Sequence, residues 1–321
     1  MIRLLGAEIN RLRSRRFTLI TLLAVVMILS IFQLQVNSAV SPPSAEAVAA
    51  NQAQYERDLK EWEQHHAEWE QQCVDAGQPR EQCAGVAPTK ENYGLHAVPF
   101  NEVAHIGLLL GIYLTALAMF LVAASFIGAE FTTGAIANWL SFIPRRVPVF
   151  ASKLITVVTF ALLVGVLASA FVLGMAALLT SVHGGELSGL RAQLSMAGRG
   201  VAVAGALAVV GYCVGLITRH TAAALGVLLG YLFVWFIRNA VLSEQAWAQR
   251  LTPWSPEANL AAIVDKGYQY AIPVKKLTEG GLSVEFLQRE VSWAHGAIYW
   301  AVLLAGLIVV ALLIFRRQDV T

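Results

Sequence analysis

The chain has 321 residues, of which 57% are hydrophobic and 14% charged, with a mean hydropathy of +0.60. A soluble domain of this size carries about a quarter charged residues, so lipid has to be part of its solvent. The formal net charge is only +2, and Arg and Lys stand at the ends of apolar runs instead of along one face, which argues against nucleic acid as the main partner.

Residues 1–16 place Ile2, Leu5, Ile9 and Leu12 on one helical face and Arg3, Arg11, Arg13, Arg15 and Arg16 mostly elsewhere. That pattern predicts an amphipathic helix lying in the membrane interface, its cations toward anionic lipid headgroups. A secretory signal shares such a basic start. The apolar run from Phe17 to Val36 is longer than the about 7–15 residues of a signal, however, and no small-x-small cleavage site follows directly, so 17–36 is expected to be a retained first span.

Residues 37–102 form a long polar loop in which Tyr55, Leu59, Trp62, His66, Trp69 and Cys73 recur at spacings of four and three. This is the apolar seam of an amphipathic helix, packed on its own loop or on a second copy. Five more runs, 103–127, 150–180, 200–217, 221–241 and 296–315, are each long enough to cross about 30 Å of hydrocarbon. The expected fold is an all-α membrane protein with six transmembrane helices. Loops of 128–149 and 181–199 separate the middle spans, and the fourth and fifth form a hairpin about Thr218-Arg219-His220-Thr221. In the loop 242–295, Pro253 and Pro256 punctuate a short helix over 257–266. An amphipathic piece over 284–293 leads to the last span, where Trp293 and Trp300 suit an interfacial belt. Residues 316–321 form a tail. Cys213, inside a span, reads as a small buried hydrophobe.

Arg and Lys fix the orientation. Arg11, Arg13, Arg15 and Arg16, then Arg145, Arg146 and Lys153, then Arg219, then Arg316 and Arg317 all fall on one side of a six-span bundle. By the positive-inside rule that side is the cytoplasm, with both termini inside; Arg191 and Arg199 on the other side are the one dissent. Lys153 sits where it can snorkel to the inner surface. The same orientation puts Cys73 and Cys83 in an oxidising compartment, where they pair as a disulfide stabilising the loop by roughly 2–3 kcal/mol in the chain-entropy picture. No His or second Cys pair has zinc-site spacing, so no metal is expected.

The loop between the second and third spans reads GAEFTTGAIANWLSFIPRRVPVFASKL. Glu130, Gly134, the apolar run from Ile136 to Phe142, Pro144, Arg145 with Arg146, and Lys153 come in the order typical of the permease subunits of ATP-binding-cassette exporters of the type-2 permease family, which this chain resembles along nearly its whole length. It departs in having Ala135 where the family commonly has Thr, and in placing Arg145 directly after Pro144. The resemblance implies a coupling helix that docks in a groove of a separate cassette ATPase, two copies of which bind ATP and Mg and drive the spans. It also implies a second permease copy or a homologous permease, and a bacterial cytoplasmic membrane. Phe131, Trp139, Leu140, Phe142 and Ile143 would be the apolar anchors of that helix, with Glu130, Arg145 and Arg146 as its polar rim. The chain itself has no G-x-x-x-x-G-K-[ST] phosphate loop, so ATP chemistry belongs to the partner and no catalytic residue is assigned.

Gly107 and Gly111, Gly211 and Gly215, and Gly226 and Gly230 form G-x-x-x-G pairs that let helices approach closely, within the chain or between copies. The uncharged spans suit an amphipathic or hydrophobic substrate such as a drug, lipid or peptide. Two other classes stay open. A secondary transporter or channel would place ionisable groups mid-span, and a scaffold or sensor would not copurify with an ATPase. A membrane enzyme would have to use His65, His66, Glu68, Glu70, His183 or His295, none of which forms an H-E-x-x-H pattern.

Overall fold

In lipid every backbone N–H and C=O has to be satisfied within its own segment, so each long apolar run closes into a helix. The computed structural model describes residues 2–40, 44–76, 83, 85–94, 99–136, 138, 145–243, 245–278 and 281–317. Its helices are α1 (Ile2–Ser14), α2 (Arg16–Val40), α3 (Ala45–Asp75), α4 (Phe100–Thr132), α5 (Arg146–Val182), α6 (Leu190–Thr218), α7 (Thr221–Ala240), α8 (Ala246–Arg250), α9 (Pro256–Asp265) and α10 (Trp293–Arg317). Six of these, α2, α4 to α7 and α10, are long and apolar enough to cross a membrane, which makes the chain a multi-pass membrane protein. An even number of crossings puts both termini at one end of the bundle, with α3, α8 and α9 at the far end.

The centre is the pair α4 and α6. In the most apolar window of each, 61% of residues are buried, against 6% for α7, so α4 and α6 face protein while α7 faces outward almost all round. Glycine makes the central contact. A Cβ at Gly211 would stand 2.2 Å from the Phe120 carbonyl oxygen, and one at Gly215 would stand 2.7 Å from that of Ala124, so only hydrogen fits at either position. The gap left by Gly107 and Gly111 is filled by Val172 of α5. Around Gly226 and Gly230 of α7 there is open space. Cys213 is fully buried in the core.

The helices overrun their expected ends. Residues 128–132 belong to α4 and 146–149 to α5, and the expected loop 181–199 shrinks to 183–189 because α5 reaches Val182 and α6 starts at Leu190. The polar residues that suggested a loop there bind neighbouring elements beyond the apolar layer. Gln193 donates to the Asn101 carbonyl at 3.1 Å, and Arg199 Nε donates to that of Val264 at 2.9 Å.

The expectation of an all-helical chain is corrected at the far end. Residues 267–278 (β1) and 281–292 (β2) form an antiparallel hairpin, paired from Gly267 with Ser292 to Thr278 with Gly281. The stretch 284–293, expected to be an amphipathic piece leading to the last span, is mostly β2. Tyr268, Tyr270, Ile272 and Val274 alternate at period two, as do Val284 and Phe286, and aromatic and β-branched residues at that spacing favour a strand.

The expected helix around 257–266 is α9, held by a fully buried Asn259 that donates to the carbonyls of Pro253 (2.8 Å) and Ser255 (2.9 Å). Trp300 Nε1 and the Tyr299 hydroxyl of α10 donate to the carbonyls of Pro256 and Trp254. Glu257 takes Arg238 of α7 at 2.5 Å and a hydrogen bond from the Tyr231 hydroxyl. The long first loop is the helix α3 with a returning segment on its seam. Tyr93 packs edge-on against Tyr55 and donates to Asp58, and the Cys73–Cys83 disulfide joins Cα atoms 5.6 Å apart.

Candidate functional site

The end of the bundle that carries the termini holds a buried ion cluster, assembled from three helices. α4 runs on past the apolar layer through Glu130 until Gly134, whose φ of +69° is a left-handed conformation that a side chain resists, ends it. α5 begins at Arg146 and brings Lys153 inward two turns later. α1 lies across both and presents Glu8, Arg11 and Leu12 at spacings of three and four, the positions that share one helical face, and Arg15 follows in the link to α2.

Lys153 Nζ donates to Glu8 Oε1 at 2.9 Å and stands 2.7 Å from Glu130 Oε2, an ion pair off the hydrogen-bonding direction. All three side chains are 1–2% exposed. Arg11 Nη1 lies 3.6 Å from Glu130 Oε1 with its own side chain 44% exposed, so the cluster opens to water on that side only. The buried ammonium is matched by two carboxylates, with Arg11 and Arg15 at the margin completing the compensation that allows charges to be buried at all. Phe126 forms its floor, with the Lys153 ammonium 5.3 Å and the Arg15 guanidinium 5.0 Å from the ring centre. Arg15 also donates to the carbonyls of Ser125 (3.0 Å) and Phe126 (3.1 Å). Burial lowers the Arg15 pKa, and Glu130 opposes the shift. Neither Glu130 oxygen, nor Glu8 Oε2, accepts a hydrogen bond among the described residues.

Glu130 and Lys153 are the first and last members of the loop motif. Their pairing closes the segment between them into a ring whose base is pinned to α1. Breaking one member of such a pair costs about 3–5 kcal/mol, because a charge is left buried alone. The aromatic layer beside it is tied in as well. Tyr212 of α6 donates to the Phe150 carbonyl at 3.2 Å, and Phe150 touches both Tyr212 and Phe315.

These positions change what the loop residues do. Glu130 is buried in the cluster instead of standing on a rim, and Lys153 is enclosed where snorkelling to the surface was expected. Arg146 donates to the carbonyls of Phe315 (3.1 Å) and Arg316 (3.2 Å), capping the last turn of α10, while Arg145 is exposed. Phe131 packs half-buried on the core and Gly134 is the helix stop. Trp139, Leu140, Phe142, Ile143 and Pro144 lie outside the described residues.

Of the expected interfacial stripe, Leu12 is fully buried against the bundle and Ile9 is exposed. The side chains of Ile2 and Leu5 lie outside the described residues, and Arg13 and Arg16 are exposed. The histidines considered for enzyme chemistry are spread apart. His65 pairs with Glu68 on α3, and His66 stacks on Trp62. His183 meets Asn37, and His295 meets the Pro253 carbonyl.

Sequence reasoning did not anticipate Glu8. Its signal is a lone acid in a basic helix, four residues before Leu12 and so on the face that Leu12 buries. No family model, characterised protein or solved structure matches the chain.

Proposed function

We propose that this chain is the membrane-spanning permease subunit of an ATP-binding-cassette exporter, moving an amphipathic or hydrophobic substrate at the expense of ATP hydrolysed by a separate ATPase. The observation that carries the reading is the joined base of the loop. A protein that grips residues 137–144 pulls on α4 and α5 at once, because Glu130 and Lys153 hold the two helix ends together and Glu8 adds α1. A loop tethered in this way passes displacement to the helices instead of absorbing it. The motif order from Glu130 to Lys153, the six spans and the basic residues at the ends of α1, α5 and α10 support the same assignment, with the joined loop and both termini in the cytoplasm.

The test is affinity purification of the full-length chain in mild detergent, with mass spectrometry for a protein carrying a phosphate loop. A stoichiometric ATPase is expected with the wild type, and it should be lost with Trp139→Ala or Arg145→Glu although the protein still inserts. A wild-type preparation free of any such ATPase refutes the reading.

A second reading has one observation in its favour. Buried carboxylates short of hydrogen-bond donors at the edge of a membrane suit proton or cation exchange, as in a secondary transporter. Proton uptake by proteoliposomes that contain only this chain, abolished by Glu130→Gln, would decide for it.

A further inference from the structure

The far-end hairpin has two unlike edges. β1 lies against α8 and α9, and its Pro273 is buried. β2 meets α9 and α10 near its base, while Val284 to Glu290 are exposed and the sheet contains no third strand among the described residues. A long open strand displays unpaired N–H and C=O groups. Proteins normally guard such an edge with proline, lysine, a bulge or a short strand. Here proline and lysine are on the other strand, and the guards on β2 are the mixed charges Glu285, Arg289 and Glu290. Pro273, Lys275 and Lys276 belong to β1, whereas β2 is 12 residues long, pairs with β1 without a bulge, and has neither proline nor lysine. Val284, Phe286 and Leu287 along it are 53%, 60% and 44% exposed.

The charge order names the occupant. Residues 285, 287 and 289 share one face of β2 and read Glu, Leu, Arg. We infer that β2 pairs antiparallel with β2 of a second copy across a two-fold axis through Leu287, forming a continuous four-stranded sheet. In that register Glu285 faces the second copy's Arg289 and Arg289 faces its Glu285. Leu287 meets its own counterpart, and Phe286 stands opposite Gln288. A strand with charges of one sign, or with its two charges on the same side of the centre, would place like charges opposite each other. This one matches itself only antiparallel and only about Leu287. The inference uses the second-copy part of the proposed function and none of the motor part.

The test is oxidative crosslinking of the full-length protein in lipid nanodiscs or mild detergent, with the wild type as background. Paired residues on neighbouring antiparallel strands have Cα atoms about 4.5–5.5 Å apart, within disulfide range. Leu287→Cys should therefore yield a covalent dimer, while Val284→Cys, about six residues out of register with itself and so about 20 Å from its copy, should not. Adding Glu285→Arg or Arg289→Glu to Leu287→Cys should lower the crosslinked fraction about fivefold, and adding both should restore it. Equal crosslinking at 284 and 287, or no rescue by the double reversal, overturns the inference. Native mass spectrometry separates the two failures: a dimer that persists without crosslinking at 287 removes the β2 edge but leaves the two-copy reading, whereas a monomer removes both.

Discussion

Replacing Lys153 by methionine removes the ammonium from between Glu8 and Glu130 and keeps nearly the same volume. At 2.9 and 2.7 Å each attraction is worth roughly 6 kcal/mol gross at an effective dielectric constant of about 20, most of it offset by the desolvation of the three groups. What the substitution exposes is the offset itself: two carboxylates stay 1–2% exposed, with the half-exposed Arg11 beside one of them and Arg15 at the margin. The expected loss is about 3–5 kcal/mol. For a chain of this size that corresponds to a Tm lower by about 6–10 °C, read by tryptophan fluorescence in mild detergent at neutral pH. The triple variant Glu8→Gln, Glu130→Gln, Lys153→Met leaves no fully buried charge, only Arg11 and Arg15 at the margin, and should recover most of the loss, to within about 1–2 kcal/mol of the wild type. The reasoning is refuted if Lys153→Met melts within a degree of the wild type, or if the triple variant is as unstable as the single one.

Two further outcomes rest on other parts of the fold. Gly211→Ala forces α4 and α6 apart at the Phe120 carbonyl and should cost about 3 kcal/mol, whereas Gly226→Ala enters open space on α7 and should change stability by less than about 1 kcal/mol; equal Tm shifts for the two would contradict the packing described. Burial raises the Asp265 carboxyl above its ordinary value although His105, 3.8 Å away, and Arg199 pull it down, so its contribution is fullest in acid and is lost as pH rises through the raised value; Asp265→Asn should therefore gain in Tm over the wild type between about pH 4 and pH 7, and a constant difference would refute the sign.

The six spans were legible because lipid imposes one demand on sequence: about 20 apolar residues in a row. The errors lie at their ends, where polar side chains such as Gln193 and Arg199 sit in helical turns beyond the apolar layer and bond to α4 and α9. A local window treats those residues as loop, since their partners are far away in the chain. The hairpin was legible in principle, from Tyr268 to Val274 and again at Val284 and Phe286. Its second strand runs straight into α10 at Trp293, with no turn residue to separate strand from span. At the candidate site the loop motif picked out Glu130 and Lys153, yet their roles depend on Glu8, 145 residues from Lys153, and no local pattern encodes a pairing at that distance.

How the helices touch decides which of them move together under the proposed function. Ion pairs in a dry pocket and glycine-mediated backbone contact are both intolerant of sliding: the first lose charge compensation within an ångström or two, and the second meet carbonyl oxygen head-on. α1, α4 and α5 are joined by the first kind, and α4 and α6 by the second, so a pull on the loop displaces all four as one body. α10 is drawn along at its last turn, where Arg146 of α5 holds its terminal carbonyls. α7 is held at its two ends: Gly128 of α4 lets the Thr221 backbone approach closely at its first turn, Ala224 is its one buried residue, and its far end hangs on the contact of Arg238 and Tyr231 with Glu257. A single carboxylate reached by two long side chains can re-form after a shift of several ångströms, which buried pairs cannot. Under the proposed function, the seam between α7 beyond its first turn and the rest of the bundle is therefore where the chain has freedom to open, and the far-end segment around α9 is what keeps α7 attached while it does.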